Sequence, residues 1–237
     1  MAGRVFAIGD IHGCARELER LLGALRPEPG DTLVFVGDYL DRGPDSRRVI
    51  ELLLDVEGRS DLTTRFLKGN HEDMCLGFLG LGGRWGESWI ANGAEATLRS
   101  YGIDPRAPAP QVRAALPAAH LRFLARLLPY HVDEQWLIVH AGIRPGRPLA
   151  AQDEEDLFWI RDDFLLAPHE LPQTVVFGHT PFRTPLVDLP YKIGIDTGCV
   201  YGGALTALEL RERVVFQIRR GEQAVRSRGL EAIARRA

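Results

Sequence analysis

The chain has 237 residues, of which 45% are apolar and 26% charged, and its formal net charge is −3. That apolar share can bury the core of one large domain or two small ones, while the near balance of charge excludes a global basic field and with it a general affinity for nucleic acid or anionic membranes. No run of about 18 apolar residues offers a membrane span, the first residues do not read as a secretory leader and none is expected, and three scattered cysteines without C-x-x-C spacing predict neither a disulfide framework nor a thiolate zinc site, so a reducing cytoplasm is expected.

In chain order, "VFAIG" reads as a strand, and "CARELERLLGAL" as a helix with Leu18, Leu21, Leu22 and Leu25 on one face. The strand "TLVFVG", the helix "DSRRVIELLLDV" with Val49, Leu52, Leu53 and Val56 aligned, and the strand "RFLKG" follow. This β-α-β-α-β order predicts parallel pairing. Helices, "WGESWIANGAEATLRSYG" among them, fill a helical insertion around residues 72–128, interrupted by the proline-rich "IDPRAPAP". Trp85, Trp89 and Leu98 in this insertion read as core. The strands "WLIVH", "TVVFG", "YKIGID", "GALTALEL" and "VVFQIR" come next, and the short links "DLP", "GG" and "RER" predict antiparallel hairpins and a second or mixed sheet. A catalytic domain is expected over residues 1–220. The basic tail 221–237 is expected as a surface helix or frayed end, with Arg226, Arg228, Arg235 and Arg236 solvated.

One pattern repeats. "IGD" at Asp10, "VGD" at Asp38, "KGN" at Asn70 and "FGH" at His179 each place a metal-ligating residue directly after a strand and a glycine; "LIVHAG" puts His140 at another strand end, and "GDIHG" adds His12. Ligands bind beyond the carboxyl ends of strands in α/β sheets, and glycine permits close backbone approach there. A single strand-end aspartate more often caps a helix or makes a turn. Six oxygen and imidazole donors together suit two divalent ions, manganese first, with iron or zinc as alternatives, and a carboxylate able to bridge them. Such a pair activates a shared water for phosphoryl transfer. His71, directly after Asn70, fits a general acid oriented by the carboxylate of Asp41, and Arg42 supplies a fixed-charge fork for phosphate oxygens.

The ordered motifs "GDIHG", "GDYLDRG", "GNHE", "HAG" and "GHT" resemble the phosphoprotein phosphatase family of calcineurin-like metallophosphoesterases, and the spacing is most similar to its bacterial and phage serine/threonine phosphatase branch. The resemblance spans roughly Val5 to Leu210. It implies an α/β sandwich of two mixed β-sheets flanked by helices. Carried over by position, it implies that Asp10 and His12 hold the first metal, that Asp38 bridges, and that Asn70, His140 and His179 hold the second. His71 and Asp41 become the acid pair, and Arg42 and Arg161 the phosphate clamps. Arg161 has a second reading, an ion pair with Asp162 or Asp163 on a charged helix. Tyr201, in "IDTGCVYGG", is either a substrate-side aromatic or a packing residue.

The expected activity is hydrolysis of phosphoserine or phosphothreonine, with a phosphoprotein or phosphopeptide as partner. The alternative is a symmetrical dinucleoside-polyphosphate hydrolase, whose members usually lack the aspartate of "DRG" and read GNHD; Asp41 and "GNHE" weigh against it. A catalytically dead scaffold would have lost ligands, and all six are present.

Overall fold

Residues 3–234 are described by the computed structural model. β1 (Val5–Ile8) is buried at all four positions, and its two faces enter different cores. Phe6 and Ile8 pack with α1 (Ala15–Leu25), β2 (Thr32–Phe35) and α2 (Ser46–Glu57), whereas Val5 and Ala7 face the second sheet. Leu18, Leu21 and Leu25 of α1, and Val49, Leu52 and Leu53 of α2, are buried as their spacing predicts. β3 (Thr63–Phe66) completes the parallel run β1-β2-β3.

Four helices follow, α3 (Asn70–Phe78), α4 (Ala94–Ser100), α5 (Ala109–Ala115) and α6 (Ala118–Ala125). The single helix expected over "WGESWIANGAEATLRSYG" is instead two 3-10 turns and then α4. The break falls at Gly93, which adopts φ 101° and accepts the Arg42 N–H at 3.1 Å; a Cβ there would stand 2.9 Å from Arg42 Cγ.

The second sheet is built from β4 (Tyr130–Asp133), β5 (Trp136–Val139), β6 (Thr174–Phe177), β7 (Leu186–Asp188) and β8 (Lys192–Gly194), with the short helices α7 (Glu154–Trp159) and α8 (Asp162–Leu165) between β5 and β6. β9 (Ala204–Glu209), β10 (Val214–Arg219) and β11 (Arg226–Gly229) return to the first sheet, and α9 (Leu230–Ala234) closes the described chain. The orders are β11-β10-β9-β1-β2-β3 and β4-β5-β6-β8-β7, a sandwich of two mixed sheets flanked by helices. The hairpin expected through "RER" forms; at "DLP" β8 turns back antiparallel on the short β7, which the sequence reading did not pick out, and pairs parallel with β6. The hairpin expected through "GG" does not form, because β8 and β9 lie in different sheets.

The basic tail also departs from expectation. Its first part is edge strand β11 on β10, and α9 buries Leu230 and Ile233 in the core between the sheets. Arg226 and Arg228 are exposed; Arg235 and Arg236 lie outside the described residues. Among the described residues no helix is long and apolar enough to cross a membrane.

Candidate active site

The ends of β1, β2, β3, β5 and β6 converge, and the loops that leave them turn sharply. His12, Asp38, Asp41, Arg42 and His179 all have left-handed φ, between 44° and 72°, where an L residue other than glycine loses about 1–2 kcal/mol. One side chain fixes the Asp38 turn. The wholly buried Glu72 accepts the N–H groups of Asp38 (2.9 Å), Tyr39 (2.8 Å), Leu40 (3.2 Å) and Gly69 (3.1 Å). Two glycines of the repeated pattern make room for a neighbouring strand's carboxylate, and the other two, Gly9 and Gly37, for neighbouring backbone. A Cβ on Gly69 would lie 2.2 Å from Asp38 Oδ1, and one on Gly178 would lie 2.0 Å from Asp10 Oδ1.

Ligand atoms of His12, Asp38 and His71 lie within 4.8 Å of one another, as do those of Asp38, His140 and His179, so Asp38 is common to both groups. His12 Nδ1 donates to Leu40 O at 2.8 Å and His140 Nδ1 to Val36 O at 3.0 Å. Each bond fixes a tautomer whose Nε2 lone pair faces inward, the arrangement that metal-binding histidines show. His140 Nε2 (3.1 Å) and His179 Nδ1 (3.0 Å) converge on Asn70 Oδ1. His71 Nε2 and His179 Nε2 are buried without a hydrogen-bond partner. The orphaned His179 nitrogen beside the shared carboxylate fits a divalent ion, which satisfies such an atom. At His12 an ion would have to take the place of Arg42, whose Nη1 donates to His12 Nε2 at 2.8 Å.

The charges are coupled. Burial opposes ionisation of Asp38, but the imidazoles of His140, His71 and His12 hold its carboxyl well below the usual range. Asp10 takes both oxygens to the His179 N–H, at 3.1 and 3.0 Å. Its burial, and then the charges of Asp196 and Asp38, push its carboxyl well up. Burial together with His140 and Arg161 pulls His179 well down.

His71 and Asp41 are both wholly buried and 2.7 Å apart, Nδ1 to Oδ2. Trp89 Nε1 donates to the same oxygen at 2.9 Å and Thr97 Oγ1 to the other at 2.6 Å. Trp89 is core, as its sequence context predicts, and also a hydrogen-bond donor to this pair. Arg42 is exposed and stacks over Tyr201 at 5.6 Å, and Tyr201 is itself 62% exposed, outside the core. Arg161 pairs with neither Asp162 nor Asp163; its Nη1 donates to Thr180 Oγ1 at 3.2 Å, beside His179, while Asp163 binds Arg144. Sequence reasoning passed over Thr97 and Asp196 and read Glu72 only as a mark of substrate class. Asp196, just past β8, carried the same signal as the others, a carboxylate at a strand end; Thr97 carried none.

The profile of the calcineurin-like phosphoesterases matches residues 3–216. The chain belongs to that family. This phosphoesterase is thus a hydrolase of a family that uses divalent metal ions. It is 30% identical to a bis(5'-nucleosyl)-tetraphosphatase PrpE (asymmetrical) of Halalkalibacterium halodurans over 86% of this chain and 89% of that protein. It is 32% identical to the one of Bacillus cereus strain AH187, over 89% and 92%. A crystal structure of a candidate diadenosine tetraphosphatase superposes with a TM-score of 0.71 at 28% identity, covering 93% of this chain and 95% of that one. A cold-active protein tyrosine phosphatase, at 17% identity and TM-score 0.64, shares the fold.

These relatives overturn the expected serine/threonine protein phosphatase with its phosphoprotein or phosphopeptide substrate. The two residues that weighed toward it do not bear on substrate. Glu72 pins backbone N–H groups and Asp41 hydrogen-bonds His71, contacts that do not select one phosphoester over another. The relatives also carry the word asymmetrical, where the alternative expected a symmetrical cut.

Proposed function

We propose that this phosphoesterase hydrolyses a dinucleoside polyphosphate, a tetraphosphate cut unequally into a nucleoside triphosphate and a nucleoside monophosphate. The observation that carries the reading is likeness at 30–32% identity, over nearly the whole of both chains, to proteins named for that reaction.

Asp10, His12 and Asp38 hold one divalent ion in this reading, and Asp38, Asn70, His140 and His179 the other, manganese being the ion proposed and iron or zinc the alternatives. Bound there, the ions lower the pKa of a water and stabilise charge on the phosphoryl oxygens. His71, oriented by Asp41, delivers a proton to the leaving phosphate oxygen. Arg42 and Arg161 bind the polyphosphate, for which guanidinium forks are suited. Tyr201, exposed beside Arg42, offers a ring face on which a base stacks next to the phosphate chain, a contact worth about 1–3 kcal/mol in single-strand nucleic-acid binding.

Incubation with diadenosine tetraphosphate and manganese, followed by anion-exchange separation, tests the reading. ATP and AMP in equal amounts are expected. Two ADP per substrate would overturn the unequal cut, and an intact substrate after prolonged incubation would overturn the substrate class.

A further inference from the structure

Cys14 and Cys199 are distant in sequence, yet their sulfurs and a Glu17 carboxylate oxygen lie within 4.8 Å of one another. Both thiols are buried, at 1% and 2% exposure. Cys14 lines a cleft of about 450 Å³ together with Arg16, Arg20 and Arg220; Cys199 is not among the lining residues. Three donors without a partner would suggest a cation, but two of these have partners. Arg220 Nη1 donates to Cys14 Sγ at 2.9 Å and the Gly221 N–H to Glu17 Oε1 at 2.9 Å. A guanidinium on the sulfur repels a cation and favours attack by that sulfur on an electrophile.

To form a disulfide the sulfurs must close from within 4.8 Å to roughly 2.05 Å. Cys14 precedes α1 without a side-chain capping bond, and Cys199 opens a 3-10 turn flanked by Gly198 and Gly202, both left-handed. We propose that Cys14 and Cys199 form a modification site, an oxidisable pair that a hydroperoxide converts to a disulfide.

The Cys14 sulfur attacks the outer oxygen of the hydroperoxide; the O–O bond breaks, an alcohol or water leaves, and Cys14 becomes a sulfenic acid. The Cys199 sulfur then attacks the Cys14 sulfur, the S–O bond breaks, and water leaves as the S–S bond forms. In sum two thiols and one hydroperoxide give a disulfide, an alcohol (or water) and water, with two electrons passing from sulfur to oxygen. The new bond ties the loop that presents His12 to the turn that presents Tyr201.

The test is peptide mapping of the whole chain after graded hydrogen peroxide and alkylation in denaturant. Alkylated cysteines are expected to fall from three to one, Cys75 remaining, with a linked Cys14–Cys199 peptide that dithiothreitol reverses. In Cys199→Ala the sulfenic acid is expected to persist on Cys14 and to react with dimedone. Sulfinic or sulfonic acid on Cys14 of the parent chain without a linked peptide, three unchanged thiols, or links to Cys75 would overturn the proposal. So would a third tightly held zinc per chain, bound from zinc alone and lost in Cys14→Ser, since that marks a metal site instead.

Discussion

Trp89 donates its indole N–H to Asp41 Oδ2 at 2.9 Å, the same oxygen that meets His71 Nδ1 at 2.7 Å. With Thr97 on the other oxygen, the carboxylate is held from both sides, so the ring it orients is held too. Trp89→Phe keeps most of the packing and removes the donor. Turnover is expected to fall about 10- to 100-fold with KM nearly unchanged, matching the roughly 1.5–3 kcal/mol of a hydrogen bond to a charged group. Steady-state kinetics decide this, and an unchanged kcat would reduce the bond to a satisfied core contact.

His71→Asn keeps a polar side chain of smaller size and removes the imidazole. Two ions per chain are expected to remain by elemental analysis, while turnover drops about 10²-fold or more, as for a lost general acid. Turnover near that of the parent would sink the proton-donor role.

Metal affinity is expected to weaken on acidification. Burial lowers the pKa of His12, but the charge and hydrogen bond of Asp38 outweigh it and leave the imidazole above its ordinary 6.5. Because an ion needs the unprotonated ring, protons compete from a pH above 6.5 downward and are released on binding. Titration calorimetry in buffers of different ionisation heat measures that release, and its absence would remove His12 from the ligand set. Asp38→Asn is expected to strip or disorder both ions; two tightly held ions in that variant would contradict a shared ligand.

Glu72→Gln puts an amide N–H₂ where a carboxylate oxygen now accepts two backbone N–H groups. A loss of about 2–4 kcal/mol in the metal-free protein is expected from the resulting donor-donor conflict in a buried place. Urea unfolding gives the number, and a midpoint equal to the parent's would show that the turn holds without this clamp.

Asp31 joins the starts of β1 and β2, accepting from Arg4 N (2.8 Å), Nε (3.0 Å) and Nη2 (2.7 Å) and from the Glu28 N–H (2.9 Å). Burial raises its pKa, but these bonds bring it below the ordinary 3.8. A folded pKa below the unfolded one gives stability that is present above 3.8 and lost as pH falls through the folded value. With Arg4 partly exposed, Asp31→Asn is expected to cost about 1 kcal/mol at neutral pH, and less once the parent is acidified past that point. A pH-independent gap between the two unfolding curves would rule out the charge as its source.

How much of this was legible in the sequence depended on range. Asp10, Asp38, Asn70 and His179 could be read because a glycine and a strand precede each. The support of Asp41 could not, since Trp89 and Thr97 reach it across 48 and 56 residues of sequence. The unread strands, β4, β7 and β11, are all sheet edges, where one flank is unpaired and the apolar run that marks a central strand is absent. Cys14 and Cys199 showed no spacing rule, because the fold and not the chain brings them together. The substrate was misread since the metal-facing residues serve any phosphoester alike.

The proposed second ion draws Asp38 and Asn70 from the first sheet and His140 and His179 from the second, so it would sit on the seam of the sandwich. Loading would then act as a rivet, stabilising the docked sheets by mass action. A chain starved of metal would have a looser seam as well as an idle centre, and looser chains are cleared sooner by proteases. The cellular lifetime of this protein is thereby expected to follow the supply of divalent metal, rising when the ion is plentiful and shortening when it is scarce.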